Sequence, residues 1–203
     1  GGLSGPYETS GRIGVKDPVL DYPQVFASVL KPRWVNIGAD LRSDVKNIRV
    51  DAVSVEMPEI RIKAKGRIYA IGSSGMGMEA EAQSGPFDLA EGKKFIPYRI
   101  ITPDVSEALF RSEGSGPVQI LSVKLSGKIP EIEHCDLPQN ARTLSVEMKV
   151  NGARVRLPWN LPAFENLKGS LSFKNGNLDL REVDGTVFHS TLEKVRGTFH
   201  NLL

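Results

Sequence analysis

The chain has a single cysteine, Cys135, in 203 residues, so no intramolecular disulfide can form. That leaves the compartment open, because a periplasmic protein need not carry a disulfide. Aromatic residues are scarce, at 7%. Neither sign of charge is in excess: 26 Lys and Arg stand against 24 Asp and Glu, a formal net charge of +2. Nucleic-acid binding needs a concentrated basic footprint, and this balance gives no reason to expect one. No stretch approaches the roughly 20 apolar residues of a membrane-spanning helix. No basic start followed by an apolar run marks a signal peptide. The chain opens abruptly at Gly1-Gly2-Leu3, as a segment cut from a longer protein would, and an anchor upstream is expected.

Motifs for chemistry are missing too. There is no nucleophile elbow, phosphate-binding loop or paired His-Glu helix motif. His134 and Cys135 are adjacent, but His189 and His200 are far off in sequence. Zinc needs three or four ligands at recognisable spacing, so no metal site is expected. The stretch "IGSSGMGMEA" (Ile71–Ala80) has dinucleotide-fingerprint spacing at Gly75, Gly77 and Ala80. That fingerprint requires a following helix, whereas this one runs into a period-two segment, which favours a Gly-rich hairpin loop. The expectation is therefore no enzyme and no cofactor.

What is present is alternation. An apolar share of 40% and a charged share of 25% suit a globular protein. Even positions from Ile60 to Ala70 are apolar or Gly, while Arg61, Lys63, Lys65 and Arg67 lie between them. Met76, Met78, Ala80 and Ala82 alternate with Glu79, Glu81 and Gln83. The same holds for Leu121, Val123, Leu125, Gly127 and Ile129, for Leu144, Val146, Met148 and Val150, and for Leu167, Gly169, Leu171 and Phe173. Each reads as a strand with one apolar and one wetted face, in an antiparallel sheet covered on one side only. The basic stripe Arg61–Arg67 reads as a solvated outer face, offset by Glu79 and Glu81.

Two hairpins can be registered. Asn175-Gly176 suits a two-residue type I′ turn, placing Phe173 opposite Leu178 and Leu171 opposite Leu180. A loop over Gly72–Ser74 places Ile68 opposite Met78, Arg67 opposite Glu79 and Lys65 opposite Glu81. Asp184-Gly185 reads as a further turn with two registers: Leu180 against His189, or against Phe188 with one more loop residue. Two short helices are expected. One covers Pro23–Leu30, with Val25, Phe26, Val29 and Leu30 at helical spacing. The other covers Thr102–Ser112, with Pro103 in its first turn, Val105 and Leu109 on one face, and Gly114 ending it. A Gly recurs before a polar and then a large apolar residue in "KGRI", "SGKI", "KGSL" and "RGTF" (Gly66, Gly127, Gly169, Gly197). Gly within strands lets a sheet bend sharply. Residues 1–20 read as a loose lead-in with room for one short strand, and 21–203 as a single antiparallel β-groove domain.

The C-terminal third, "LPWNLPAFENLKGSLSFKNGNLDLREVDGTVFHSTLEKVRGTFHNLL" (Leu157–Leu203), resembles the AsmA-like family of periplasmic proteins. "GPVQILSVKLSGKIPEI" (Gly116–Ile132), "SGPFDL" (Ser84–Leu89) and "FIP" (Phe95–Pro97) extend the likeness over residues 84–203. The resemblance implies a bridge-like lipid-transfer protein: a long, strongly curved antiparallel sheet forming a U-shaped β-groove or incomplete barrel, with one or two short helices. The groove would shield phospholipid acyl chains between the inner and outer bacterial membranes. It would be tethered to the inner membrane through a segment absent from this chain. The groove lining is expected at Leu121, Val123, Leu125, Leu144, Val146, Met148, Leu167, Leu171, Phe173, Leu178 and Leu180. An acyl chain exposed to water loses roughly 0.8 kcal/mol per CH₂, so an apolar lane can carry it without any reactive group. The alternative is a closed β-sandwich or barrel, a structural or interaction module of an envelope protein whose apolar face is its core. In either case the exposed edge strands of a fragment can make dimers.

Overall fold

Alternation becomes strand along most of the chain. The computed structural model describes residues 6–95, 107 and 111–200, except 24, 25, 27, 136 and 158–161. The protein is mainly β: twelve strands make one curved antiparallel sheet that does not close into a barrel. They are β1 (Tyr7–Lys16), β2 (Trp34–Ser43), β3 (Ile48–Glu56), β4 (Arg61–Tyr69), β5 (Gly77–Ser84), β6 (Phe87–Asp88), β7 (Glu113–Ser115), β8 (Pro117–Lys128), β9 (Leu144–Arg156), β10 (Phe164–Lys174), β11 (Asn177–Val187) and β12 (Ser190–Phe199). The spatial order is β1-β2-β3-β4-β5-β8-β9-β10-β11-β12, with β6 beside β8 and β7 beside β9.

Both registered hairpins form as the sequence indicates. Asn175 and Gly176 take φ of 52° and 74°, as a type I′ turn requires, and Phe173 faces Leu178 and Leu171 faces Leu180. Ile68 faces Met78, with Arg67 on Glu79 and Lys65 on Glu81. Gly72 and Gly75 lie in that turn and Gly77 opens β5, so a strand rather than a helix follows the glycines.

Other expectations are corrected. Asp184-Gly185 is not a turn. β11 runs on to Val187, the chain reverses at Phe188-His189, and Leu180 faces Gly197. Gly185 serves a close approach instead: a Cβ there would lie 2.9 Å from Leu167 Cδ2 and 3.0 Å from the Glu165 carbonyl. The lead-in holds a regular ten-residue strand, β1, paired with β2 from end to end. All ten of its residues are exposed, so no buried stripe marks it in the sequence. Within Pro23–Leu30, Leu30 exchanges backbone hydrogen bonds with Leu20 (2.9 and 3.0 Å) in an isolated bridge instead of ending a helix, and Val25 lies outside the described residues. Of the helix expected over Thr102–Ser112, Glu107 and Arg111 are described and helical, with an ion pair at 2.7 Å. Thr102, Pro103, Val105 and Leu109 lie outside the described residues. Gly114 belongs to β7, opposite Val155.

The core is small and sits towards one end of the sheet. Val35, Met57 and Ile60 form one buried cluster, with Val55, Ile62, Phe87 and Phe95 against it. Val118, Val150 and Ala153 form another, flanked by Phe87, Leu89, Leu167 and Leu171. Phe87 joins the two. It belongs to the β5–β8 connection, which continues through a helical turn at Leu89–Gly92 and a 3-10 turn at Lys93–Phe95. Asp88 fixes this segment: its carboxylate accepts from the Ala90 amide at 2.8 Å, capping the turn, and from the Gly116 amide at 3.0 Å. Lys94 then reaches Glu91 (2.9 Å) and Glu59 (3.2 Å). Burial acts to lower the Lys94 pKa, but the two carboxylates outweigh it and hold the ammonium above its ordinary range.

Candidate functional site

The cross-strand registers, followed in sequence, link one apolar row through all ten strands of the main path. Gly11 faces Ala39, which faces Val53, then Ala64, Ala82, Val123, Val146, Phe173, Leu178 and Phe199. At about 4.8 Å between strands, this row is roughly 43 Å long. Side-chain size rises along it, from Gly and Ala at the β1 side to Phe and Leu at the β12 side. The adjacent row over the second half is Ile120, Met148, Leu171, Leu180 and Gly197. Keeping every strand in phase is the work of bulges. Asn166, Glu182 and Lys194, at φ of 52°, 52° and 46°, lie where β10, β11 and β12 shift register. Each extra residue flips the parity of the sequence while the apolar face stays continuous.

Of the residues expected to line a groove, Val123, Val146, Phe173 and Leu178 lie in the long row. Met148, Leu171 and Leu180 lie in the adjacent row, and Leu125 faces Leu144. Leu167 faces Ala153 and packs on the second buried cluster. Leu121 does not join them. It is the extra residue of a bulge in β8, without a partner opposite β9, and is 40% exposed; Ile120 takes the place opposite Met148. The cause lies in the neighbouring strand. β5 ends at Ser84, whose hydroxyl accepts the Ile120 amide at 2.9 Å, and after Pro86 the strand beside β8 is β6. Two adjacent apolar residues, Ile120-Leu121, were the available sign of this bulge. The sequence reading also missed Ala39 and Val53. β3 carries its own bulge between Val50 and Val53, which breaks the alternation there.

Among the described residues, the face is open along much of its length. The chain exposes 13301 Å², against about 9,400 Å² for a compact monomer of its mass. Most residues of the row are half-buried rather than buried. Among the described residues, cover lies at the ends of the strands. The Phe87–Phe95 segment packs over the end near Val35 and Val118. At the other end the β8–β9 connection folds over the sheet, with Thr143 and Ala141 buried: a Cβ on Gly127 would meet Thr143 Cγ2 at 3.0 Å.

The opposite face is charged and internally paired. It carries a recess of about 920 Å³ lined by Arg42, Arg49, Lys65, Arg67, Glu79, Glu81 and Lys124, among others. Arg42 and Arg49 bind Asp51 at 2.9 and 2.7 Å, Lys65 and Lys124 bind Glu81 at 3.1 and 3.8 Å, and Arg67 binds Glu79 at 2.8 Å. Hydrogen bonds from Arg67 and from Lys65 hold the Glu79 and Glu81 carboxyls below the ordinary glutamate range. With these cations already matched, the recess is a poor trap for an anion. Exposed pairs of this kind contribute about 0–1 kcal/mol each.

Among the described residues, no group of three His, Cys, Asp or Glu side chains converges as a metal site, and no helix is long and apolar enough to cross a membrane. No family model, curated protein or solved structure matches the chain.

Proposed function

We propose that the protein is a lipid-binding or lipid-transfer segment that shields phospholipid acyl chains on the apolar face of its sheet. The observation that carries this reading is the registered row from Gly11 to Phe199, ten strands wide, over whose middle the described residues form no second layer. A guest on such a face is held by area alone, at roughly 25 cal/mol per Å² of apolar surface removed from water. Binding would then be strong in sum, unselective along the row, and in need of no reactive side chain. The resemblance of residues 84–203 to the AsmA-like family supports the same reading. It suggests a periplasmic setting, an inner-membrane tether outside this chain, and a part in outer-membrane biogenesis. The alternative, an envelope module whose apolar face is a closed core, is less well supported, because the sheet does not close.

Native mass spectrometry of the gently purified protein tests the proposal. Phospholipid should be retained. Val146→Glu, on the apolar face, should reduce it several-fold, while Lys149→Glu, one residue outside that face, should not. A lipid-free protein that also takes up no apolar reporter dye would overturn the reading.

A further inference from the structure

The two edges of the sheet are built differently. β12 is interrupted by two register shifts against β11, places Lys194 at a φ of 46°, and bears Glu193, Lys194 and Arg196. Bulges and edge charges of this kind discourage the addition of another strand. β1 carries charges too, at Glu8, Arg12 and Lys16, but it has no bulge. Its ten residues pair with β2 without a shift, it contains no proline, and its apolar side includes Tyr7, Ile13 and Val15, with Ile13 61% exposed. No described strand pairs with its outer edge. Arg12 has no acidic partner among the described residues, while Glu8 lies beside Arg42 at 3.3 Å.

We propose that β1 is the seam of a two-fold dimer with a second copy of this chain, with Ser10 on the axis and each Glu8 facing Arg12 of the other copy. Antiparallel pairing of two identical strands keeps Tyr7, Ile13 and Val15 on a shared face only when a residue sits opposite itself. Charge then selects among the central choices. An axis at Arg12 sets two guanidinium groups against each other. An axis at Gly11 leaves Arg12 facing Ser10. An axis at Ser10 makes two Glu8–Arg12 pairs and two Tyr7–Ile13 pairs. Pairing of β1 with β12 of another copy would be open-ended, and the bulges of β12 do not match the regular β1. The dimer places both apolar faces on one side and joins the two rows at their Gly11 ends. It stands or falls independently of what the face carries.

Sedimentation over a range of concentrations should show a monomer–dimer equilibrium. Arg12→Glu should weaken dimerisation at least ten-fold by setting it against Glu8. In a Cys135→Ser background, Ser10→Cys should give a disulfide-linked dimer under mild oxidation. Lys16→Cys should not, because the two copies of that position lie roughly 40 Å apart about this axis. A protein that stays monomeric at every concentration overturns the seam, as does dimerisation indifferent to Arg12→Glu. Crosslinking at Lys16 without Ser10 overturns the register, and open-ended oligomers overturn the two-fold closure.

Discussion

Gly66 and Gly197 occupy the same place in a recurring Gly-polar-apolar pattern, yet their surroundings differ. A Cβ on Gly66 would lie 2.5 Å from the Glu79 carbonyl oxygen and 3.1 Å from Ala80 Cα, both backbone atoms of β5. A Cβ on Gly197 would meet nothing within 4 Å. The glycine at Gly66 is therefore required by the close approach of β4 and β5, whereas at Gly197 the space is free. Gly66→Ala should destabilise the protein by about 1–3 kcal/mol, the usual range for an overpacked site. Gly197→Ala should be near neutral. Urea midpoints of the two variants check this, and equal midpoints would contradict it. At this scale the sequence is a partial guide: the pattern shows where glycine stands, but only the neighbouring strand shows why.

Whole elements were legible where a strand buries one face and a turn uses its favoured residues. The β4–β5 and β10–β11 hairpins met both conditions, and their registers could be written down in advance. β3 escaped because its bulge breaks the alternation, and β1 because all its residues are exposed. The β11–β12 turn escaped because Phe188-His189 is an unusual turn sequence, while Asp184-Gly185 resembles a turn but does other work. The Asp184 carboxylate accepts the Lys194 amide at 2.7 Å across the two strands. The β4–β5 hairpin also carries a pH dependence. Arg67 donates to Glu79 from Nε at 2.9 Å and from Nη2 at 2.8 Å, and so depresses the carboxyl pKa from its ordinary 4.5. A carboxyl that titrates lower when folded stabilises fully above its unfolded pKa, and this contribution fades as pH falls through the folded value. Glu79→Gln should therefore lower stability slightly at pH 7 and have no such effect near pH 2. Thermal melts at the two pH values read the difference. An effect of equal size at both would show that the ion pair is not its source.

At the scale of the whole molecule, the described residues make a sheet with little covering of its apolar face. Its two buried clusters lie under the Phe87–Phe95 segment, while the ten-strand row runs between the covered ends. Large apolar patches on monomers commonly mark interaction sites, and under the proposed function this half-buried face is where lipid binds. Ten of the eleven side chains expected to line a groove share the apolar face. The one that does not, Leu121, was displaced by a bulge whose cause lies in another strand. The central claim is that this face, and not the charged one, meets lipid. Site-specific photocrosslinking with phospholipid vesicles tests it most directly. A crosslinker at Ala64, Val123 or Phe173 on the row should capture phospholipid, and one at Lys63, Lys124 or Lys174, each a single residue away on the other face, should not. Equal capture at both sets, or none at the row, would contradict the claim.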